Sequence, residues 1–225
     1  MGVLGGMLGS VSHEIKNILG ATMGFSSLGL EHLESTNEGR QYLQDVYDSG
    51  ESGIKLLDQL LQFSHQESNV MELVSLGDIV ESSMGLLAIL ACESVKLEVN
   101  ICPDMAKIYG DRIQLQQLIM NISINAFYAM SSCPNACLKI DVTSELDPSV
   151  DQLFIVLRLK DNGVGILDEH KDKIFEPHFT TRKESCSGLG LSIVKTIVDH
   201  HQGTIELESI VGEGTCFTIS FPAKV

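Results

Sequence analysis

The sequence is short of cations. Its 225 residues carry 15 Lys plus Arg against 30 Asp plus Glu, a formal net charge of −15. Binding along a phosphate backbone draws on clustered Lys and Arg to release counterions, so nucleic acid is excluded as the main ligand. Docking on an anionic membrane surface is excluded on the same ground. No run reaches the ~18 apolar residues that a spanning helix needs. The opening MGVLGGMLGS holds no basic residue, so it is not expected to be a secretion signal; its abrupt entry into helical pattern is what a fragment of a longer protein would show. Cysteines are present without a framework. Cys92, Cys102, Cys133, Cys137, Cys186 and Cys216 form no repeated short pairs, and Cys133-x3-Cys137 has no His at ligand spacing. A zinc site needs four converging donors, so buried, reduced thiols in a cytosolic chain are expected instead. Neither a P-loop nor a Rossmann fingerprint occurs.

What is present is enough for a packed core, with 44% hydrophobic and 20% charged residues, and the length allows one or two domains. Apolar residues at Leu4, Leu8, Val11, Ile15, Ile18, Thr22 and Phe25 alternate steps of four and three, the seam of a helix in a bundle or coiled coil. The pattern breaks at Ser35-Thr36-Asn37-Glu38-Gly39, a turn, and resumes in a second helix. There Leu43, Gly50, Leu57 and Val46, Gly53, Leu60 and Tyr47, Ile54, Leu61 form three adjacent seven-residue rows. So wide an apolar face predicts a helical hairpin over 1–68 that completes a four-helix bundle by dimerising. A short linker is expected at 69–76.

From 77 to 225 the grammar changes. Asp78 is expected to N-cap a helix running to about Cys92. Strands are expected at Lys96–Ile101, Lys107–Tyr109, Cys137–Ser144, Phe154–Lys160, Thr204–Glu208 and Cys216–Phe221, from period-two apolar residues rich in β-branched types. Helices are expected at 111–131 and 188–201. This mixture reads as an α+β two-layer sandwich.

Three glycine clusters stand at strand and helix ends: Asp161-Asn162-Gly163-Val164-Gly165, Gly188-Leu189-Gly190-Leu191 and Gly212-Glu213-Gly214-Thr215. Each alone is an ordinary turn signal. The second opens a helix, whose amides and dipole suit an anion. Asn121 and Asn125 lie one turn apart on an apolar helix, where Asn is a poor interior residue. Either one is a satisfied core amide and the other solvated, or a carboxamide oxygen serves Mg²⁺.

In order along the chain, Asn121…Asn125, Asp161-x-Gly163-x-Gly165, Phe175…Phe179, Gly188-x-Gly190 and Gly214-Thr215 resemble the catalytic domain of sensor histidine kinases. That domain has the GHKL, or Bergerat, ATP-binding fold shared with gyrase-type, chaperone-type and mismatch-repair ATPases. Ser12-His13-Glu14-Ile15-Lys16-Asn17 resembles the phosphoacceptor box of the same kinases. The resemblance spans about residues 5–222. It implies a dimerisation and histidine-phosphotransfer hairpin at 1–68 and a catalytic ATP-binding domain at 77–225. It also implies that Asp161 accepts a hydrogen bond from the adenine amino group, with Gly163 and Gly165 shaping the wall beside the base and Thr215 in the same pocket. Asn125 would ligate Mg²⁺ beside its partner Asn121, and the amides of Gly188, Leu189 and Gly190 would meet the phosphates. Arg182 and Lys183 fall in the segment resembling the lid, where a cation neutralises the γ-phosphate, and Phe175 and Phe179 match its hydrophobic anchors.

The same resemblance makes His13 the phosphoacceptor, two residues before a seam position and so on the outward face, as a nucleophile reaching another domain's ATP requires. Glu14 matches the acid that orients its ring. The implied activity is ATP-dependent autophosphorylation of His13 and phosphoryl transfer to an Asp of a response regulator in two-component signalling. Glu14-x-x-Asn17 resembles the pattern that positions water for phosphatase activity toward the regulator. The implied location is the cytoplasm, either free or as part of a membrane-bound sensor. Two positions depart from the family: Ile18 stands where Pro is common, which should reduce the helix kink, and Cys186 where a Gly is common. His32, His65, His170, His178, His200 and His201 lack metal spacing and are expected at the surface or in packing. The rival readings are an ATPase or serine kinase of the same fold, and a scaffold that binds nucleotide weakly.

Overall fold

The computed structural model describes residues 19–30, 33, 39–48, 50, 70–91, 95–103, 105–149, 151–180 and 188–224. His13, Glu14, Asn17, Ile18, Cys92, Arg182, Lys183 and Cys186 lie outside them, as do the seam positions before residue 19 and the second-helix rows beyond Gly50. The chain divides into two compact units, Met1–Glu67 and Ser68–Val225.

In the first unit residues 19–30 (α1) and 39–48 (α2) are helical. They run antiparallel and close together, because small residues meet the opposite helix: a Cβ on Gly29 would fall 2.7 Å from Leu43, and one on Gly50 2.6 Å from Met23. The Arg40 guanidinium donates to the carbonyls of Leu30 and Leu33, closing the C-terminal end of α1 where carbonyls lack helical partners. Phe25 is 74% exposed and Tyr42 72%, and Leu28 and Val46 are exposed as well. A single hairpin leaves this face uncovered.

The second unit is a mixed sheet with helices packed on it. Its strands are β1 (Glu72–Val74), β2 (Val95–Ile101), β3 (Lys107–Gly110), β4 (Ala136–Asp147), β5 (Gln152–Asp161), β6 (Thr204–Ile210) and β7 (Gly214–Lys224); the order is β1-β3-β7-β5-β4-β2, with β6 also on β7. β7 has β5 along one side; β6 and then β3 occupy the other. Only the β2–β4 pair is parallel among the described strands. The period-two pattern sets the buried face: Leu138, Ile140 and Val142 from β4, Leu157 and Leu159 from β5, and Phe217, Ile219 and Phe221 from β7 are all buried.

Helices α3 (Leu76–Ala91), α4 (Arg112–Ala129), α5 (Asp168–Lys171) and α6 (Gly190–His200) complete the unit. α4 packs against α3, α6 and strands β4, β5 and β7, which explains why its apolar residues run round much of its circumference. Asp111 caps it, Oδ1 accepting from the amides of Ile113 (2.8 Å) and Gln114 (3.2 Å).

Several expectations are corrected. Asp78 is not the N-cap of α3. Ser75 is: its Oγ accepts from the Asp78 amide at 3.2 Å and its carbonyl from Ile79, leaving Asp78 in the first turn, where its charge favours the helix dipole. Glu72–Val74, inside the expected linker, pairs with β3. The four described cysteines are free but not buried: Cys102 is exposed, and Cys133, Cys137 and Cys216 are half-buried.

Candidate functional site

The site begins with a carboxylate that the strand register forces inward. Along β5, Leu157, Leu159 and Asp161 alternate onto the buried face, and Asp161 stands opposite Leu138 on β4 and Thr215 on β7. Its Oδ1 accepts from the amides of Gly163 (2.8 Å) and Thr215 (3.2 Å). Among the described residues both donors to Asp161 reach Oδ1, which leaves Oδ2 as the acceptor that Asp161 offers to the cavity it lines. Burial raises the pKa of Asp161 above the usual carboxylate value, and the two amide bonds oppose that rise.

Around it the chain is tied tightly. Asn162 holds the loop to the start of β4, accepting from the Cys137 amide (2.8 Å) and donating to the Asn135 carbonyl (3.0 Å). Val164 donates to the Ala129 carbonyl at the end of α4 and accepts from Gly212 in the β6–β7 turn. Gly165 has φ +72, and a Cβ there would collide with the Ile210 carbonyl, so neither the conformation nor the approach admits a side chain. Ser209, buried on β6, joins the two strands and the loop: its Oγ donates to the Gly214 carbonyl, meets Thr215 Oγ1 at 3.0 Å and accepts from the Ile166 amide. Lys171 of α5 donates to the Ser209 carbonyl at 2.6 Å and pairs with Asp168.

The opposite wall comes from α4 and α6. Asn121 and Asn125 both line the cavity, as their spacing requires. Asn121 Nδ2 is buried with no partner among the described residues, a donor suited to an acceptor on a ligand. Gly190 opens α6 close enough to Asn125 that a Cβ would lie 3.8 Å from its Nδ2. Leu189, the N-cap, supplies no side-chain hydrogen bond to the first turn, and the amides at such a helix start suit an anion. Gly188, at φ +68, accepts from the His178 amide at 3.0 Å. Phe179 packs on the ring of His170 at 5.4 Å, and Phe175 edge-on against Phe217. Together these surfaces enclose about 870 Å³, with Ile124, Ile166, Leu167, Ile174 and Phe217 in the apolar wall. That combination of volume, apolar lining and a few convergent polar groups suits a nucleotide-sized ligand.

Comparison with known proteins agrees with this geometry. Residues 110–225 match the family described as histidine kinase-, DNA gyrase B-, and HSP90-like ATPase, and residues 3–69 match the His kinase A (phospho-acceptor) domain. The chain belongs to the histidine kinase family. It is 31% identical over 223 residues to the signal transduction histidine-protein kinase AtoS of Escherichia coli K12, covering 99% of this chain and 35% of that protein. It is 32% identical over 227 residues to sporulation kinase A of Bacillus subtilis 168, covering 100% and 35%. The chain thus spans about a third of these curated relatives. Among solved structures, the mycobacterial sensor histidine kinase MprB is similar at TM-score 0.59 and 25% identity, over 69% of this chain and 99% of that one. The GHKL fold, with a phosphoacceptor helical region ahead of it, is therefore the fold of this chain, and ATP is the ligand its family binds.

Of the residues singled out from sequence, Asn121, Asn125, Asp161, Gly165, Gly188, Gly190 and Thr215 line one cavity. Gly163 donates its amide to Asp161, and Leu189 is the N-cap of α6; neither is among the lining residues. Sequence reasoning missed His170, which lines the cavity rather than the surface, and Ser209, which braces it. A lone His or Ser carries no spacing signal that could have revealed either. Among the described residues no group of three or more His, Cys, Asp or Glu could hold a metal, and no helix is long and apolar enough to cross a membrane.

Proposed function

We propose that this chain is the core of a protein-histidine kinase that transfers the γ-phosphoryl group of ATP to His13 and passes it to an aspartate of a response-regulator receiver domain. The observation that carries the reading is the cavity built around the inward Asp161 carboxylate, in a chain that also holds a phosphoacceptor box. In this reading residues 1–68 dimerise and present His13, 69–76 connect, and 77–225 bind ATP.

Asp161 Oδ2 accepts from the adenine amino group. The apolar wall takes the base and excludes water, and Thr215 with Ser209 fixes the floor. The amides at the start of α6 and Asn121 Nδ2 meet phosphate oxygens. Asn125 would hold Mg²⁺ through its carboxamide oxygen. When bound, the ion supplies charge neutralisation across the phosphates. A single carboxamide oxygen is a hard donor of the kind Mg²⁺ takes while keeping several waters. Among the described lining residues none is Lys or Arg, so Arg182 and Lys183 are the side chains assigned to the γ-phosphate.

The unprotonated nitrogen of His13 forms the N–P bond as the bond from the γ-phosphorus to the β–γ bridging oxygen breaks, and ADP leaves with that electron pair. Glu14 accepts a hydrogen bond from the other ring N–H, stabilising the imidazolium character that develops. Phosphohistidine is labile and readily gives its phosphoryl group to a carboxylate, regenerating the imidazole. Asn17 would orient water for the reverse function, hydrolysis of the regulator's phosphoaspartate.

The test is a chase. Chain labelled from γ-phosphate ATP is freed of nucleotide and mixed with a receiver domain. Label should move to the receiver and be lost from the chain. A label that stays on the chain with every receiver offered would count against the transfer step. Chelating Mg²⁺ should abolish labelling and weaken ATP binding at least about tenfold.

A further inference from the structure

Two adjacent histidines end α6, and they differ sharply in surroundings. His200 is exposed, its Nδ1 2.8 Å from Gln114 Oε1 on α4. His201 is 3% exposed. Its Nδ1 lies 2.7 Å from the Ile197 carbonyl, which can only accept, so that nitrogen carries the hydrogen. Its Nε2 lies 2.9 Å from the Asp111 amide, which can only donate, so that nitrogen is bare. The contacts thus require the neutral ring and fix its tautomer. The site is shaped to this ring: a Cβ on Gly110 would lie 2.7 Å from His201 Cδ2, and Phe221 of β7 packs edge-on at 5.9 Å.

The helices joined here are those that form the phosphate end of the cavity. α4 and α6 run antiparallel. Asp111 begins α4 where α6 ends, and Asn125, about 21 Å further along α4, stands over Gly190 where α6 begins. We propose that His201 is a positioning residue for the nucleotide site: its neutral ring locks the far end of the α4–α6 pair and so sets the spacing of Asn125 against the α6 N-terminus, and protonating it releases that spacing. The inference rests on the nucleotide reading of the cavity.

Protonation puts an N–H on Nε2, facing the Asp111 N–H donor to donor. The titratable groups facing the ring are Asp111, which favours the charged form, and His200, which disfavours it. β3 presents Gly110 and β7 presents Phe221, which do not titrate. Burial is the largest influence and holds the ring's pKa below the ordinary His value. Among the described residues Asp111 Oδ2 is buried without a partner, and the carboxylate favours the charged ring. Release therefore comes on acidification.

The experiment measures ATP affinity of the full chain at about pH 7.5 and about pH 5.5 for the native sequence, His201→Gln and His201→Leu. Gln can accept from the Asp111 amide and does not titrate. His201→Gln should bind within about threefold of the native chain at the higher pH and lose about threefold less affinity on acidification. Comparing the two proteins cancels the titration of ATP and of the other histidines. His201→Leu, with the Asp111 amide left unpaired, should bind about tenfold more weakly at the higher pH while melting well above the assay temperature. Parallel pH profiles for native and Gln chains, or native-like binding by a folded Leu chain, would overturn the proposal. Should Leu fail to fold, the Gln profile decides. Should the native chain bind no ATP, the nucleotide reading fails, and amide hydrogen exchange over 188–194 decides the lock. Acid-dependent loss of protection in the native chain alone supports it, and equal loss in both refutes it.

Discussion

Asp161 shows how a binding group is made from strand register. Its neighbours two and four residues back are Leu159 and Leu157, and the same alternation that buries them buries a carboxylate. Two amides hold one oxygen, so replacing the acid by its amide keeps the local fold. Asp161→Asn preserves an oxygen for Gly163 and Thr215 but turns an NH₂ toward the cavity, donor against the adenine donor. ATP affinity should fall roughly 10–100-fold, the cost of about 1–3 kcal/mol for an unmade buried bond, as a binding titration would show. Stability should move the other way. The folded-state pKa of Asp161 is raised, so the folded chain binds more protons than the unfolded one between the ordinary value of 3.8 and the raised one, and stability is lost as pH rises through that window. The Asn variant lacks this loss. Its melting temperature should equal or exceed that of the native chain at neutral pH, and the difference should shrink toward pH 4, which melting curves against pH would check. The identity of Asp161 was legible because it sits in an ordered set of motifs. Ser209 and His170 were not, since a single residue on a strand or a short helix is located only by tertiary contact.

At the scale of elements, the long strands and α4 and α6 were readable from periodicity, because each buries one face or one stripe. The elements missed are those whose residues carry no period. β1 is three residues long and is held by pairing with β3, while α5 is a single turn tied down by Lys171 on β6. Asp78 misled because Asp is a good cap and also a good first-turn residue; only the Ser75 hydrogen bond decides between them. The loop before α6 has its own constraint. Gly188 combines φ +68 with a Cβ position 2.6 Å from the His178 carbonyl carbon. Gly188→Ala should cost at least about 1–2 kcal/mol from the left-handed conformation alone, lowering the melting temperature by roughly 2–4 °C per kcal/mol. Displacing the amides at the start of α6 should also weaken ATP binding. Unchanged binding and melting would mean that this loop does not shape the phosphate end.

For the whole molecule, the sequence implied two units of different character, and the chain divides at Glu67–Ser68. The apolar face with Phe25, Leu28, Tyr42 and Val46 needs a cover that one hairpin lacks, consistent with the phosphoacceptor domain's expected dimer. Phe25→Glu with Val46→Glu should convert a dimer to monomers in sedimentation equilibrium at micromolar concentration, and ATP binding should persist because the cavity lies wholly in the other unit. A chain already monomeric before substitution would refute this assembly. Opposed to that separation of units is the proposed chemistry, which needs both. The most direct test incubates the native chain, His13→Ala and Asp161→Asn with γ-labelled ATP and Mg²⁺, followed by acid and base treatment of the product. The account predicts label on the native chain that is lost in acid and kept in base, none on His13→Ala, and strongly reduced label on Asp161→Asn. Acid-stable label, or label undiminished in His13→Ala, would contradict it.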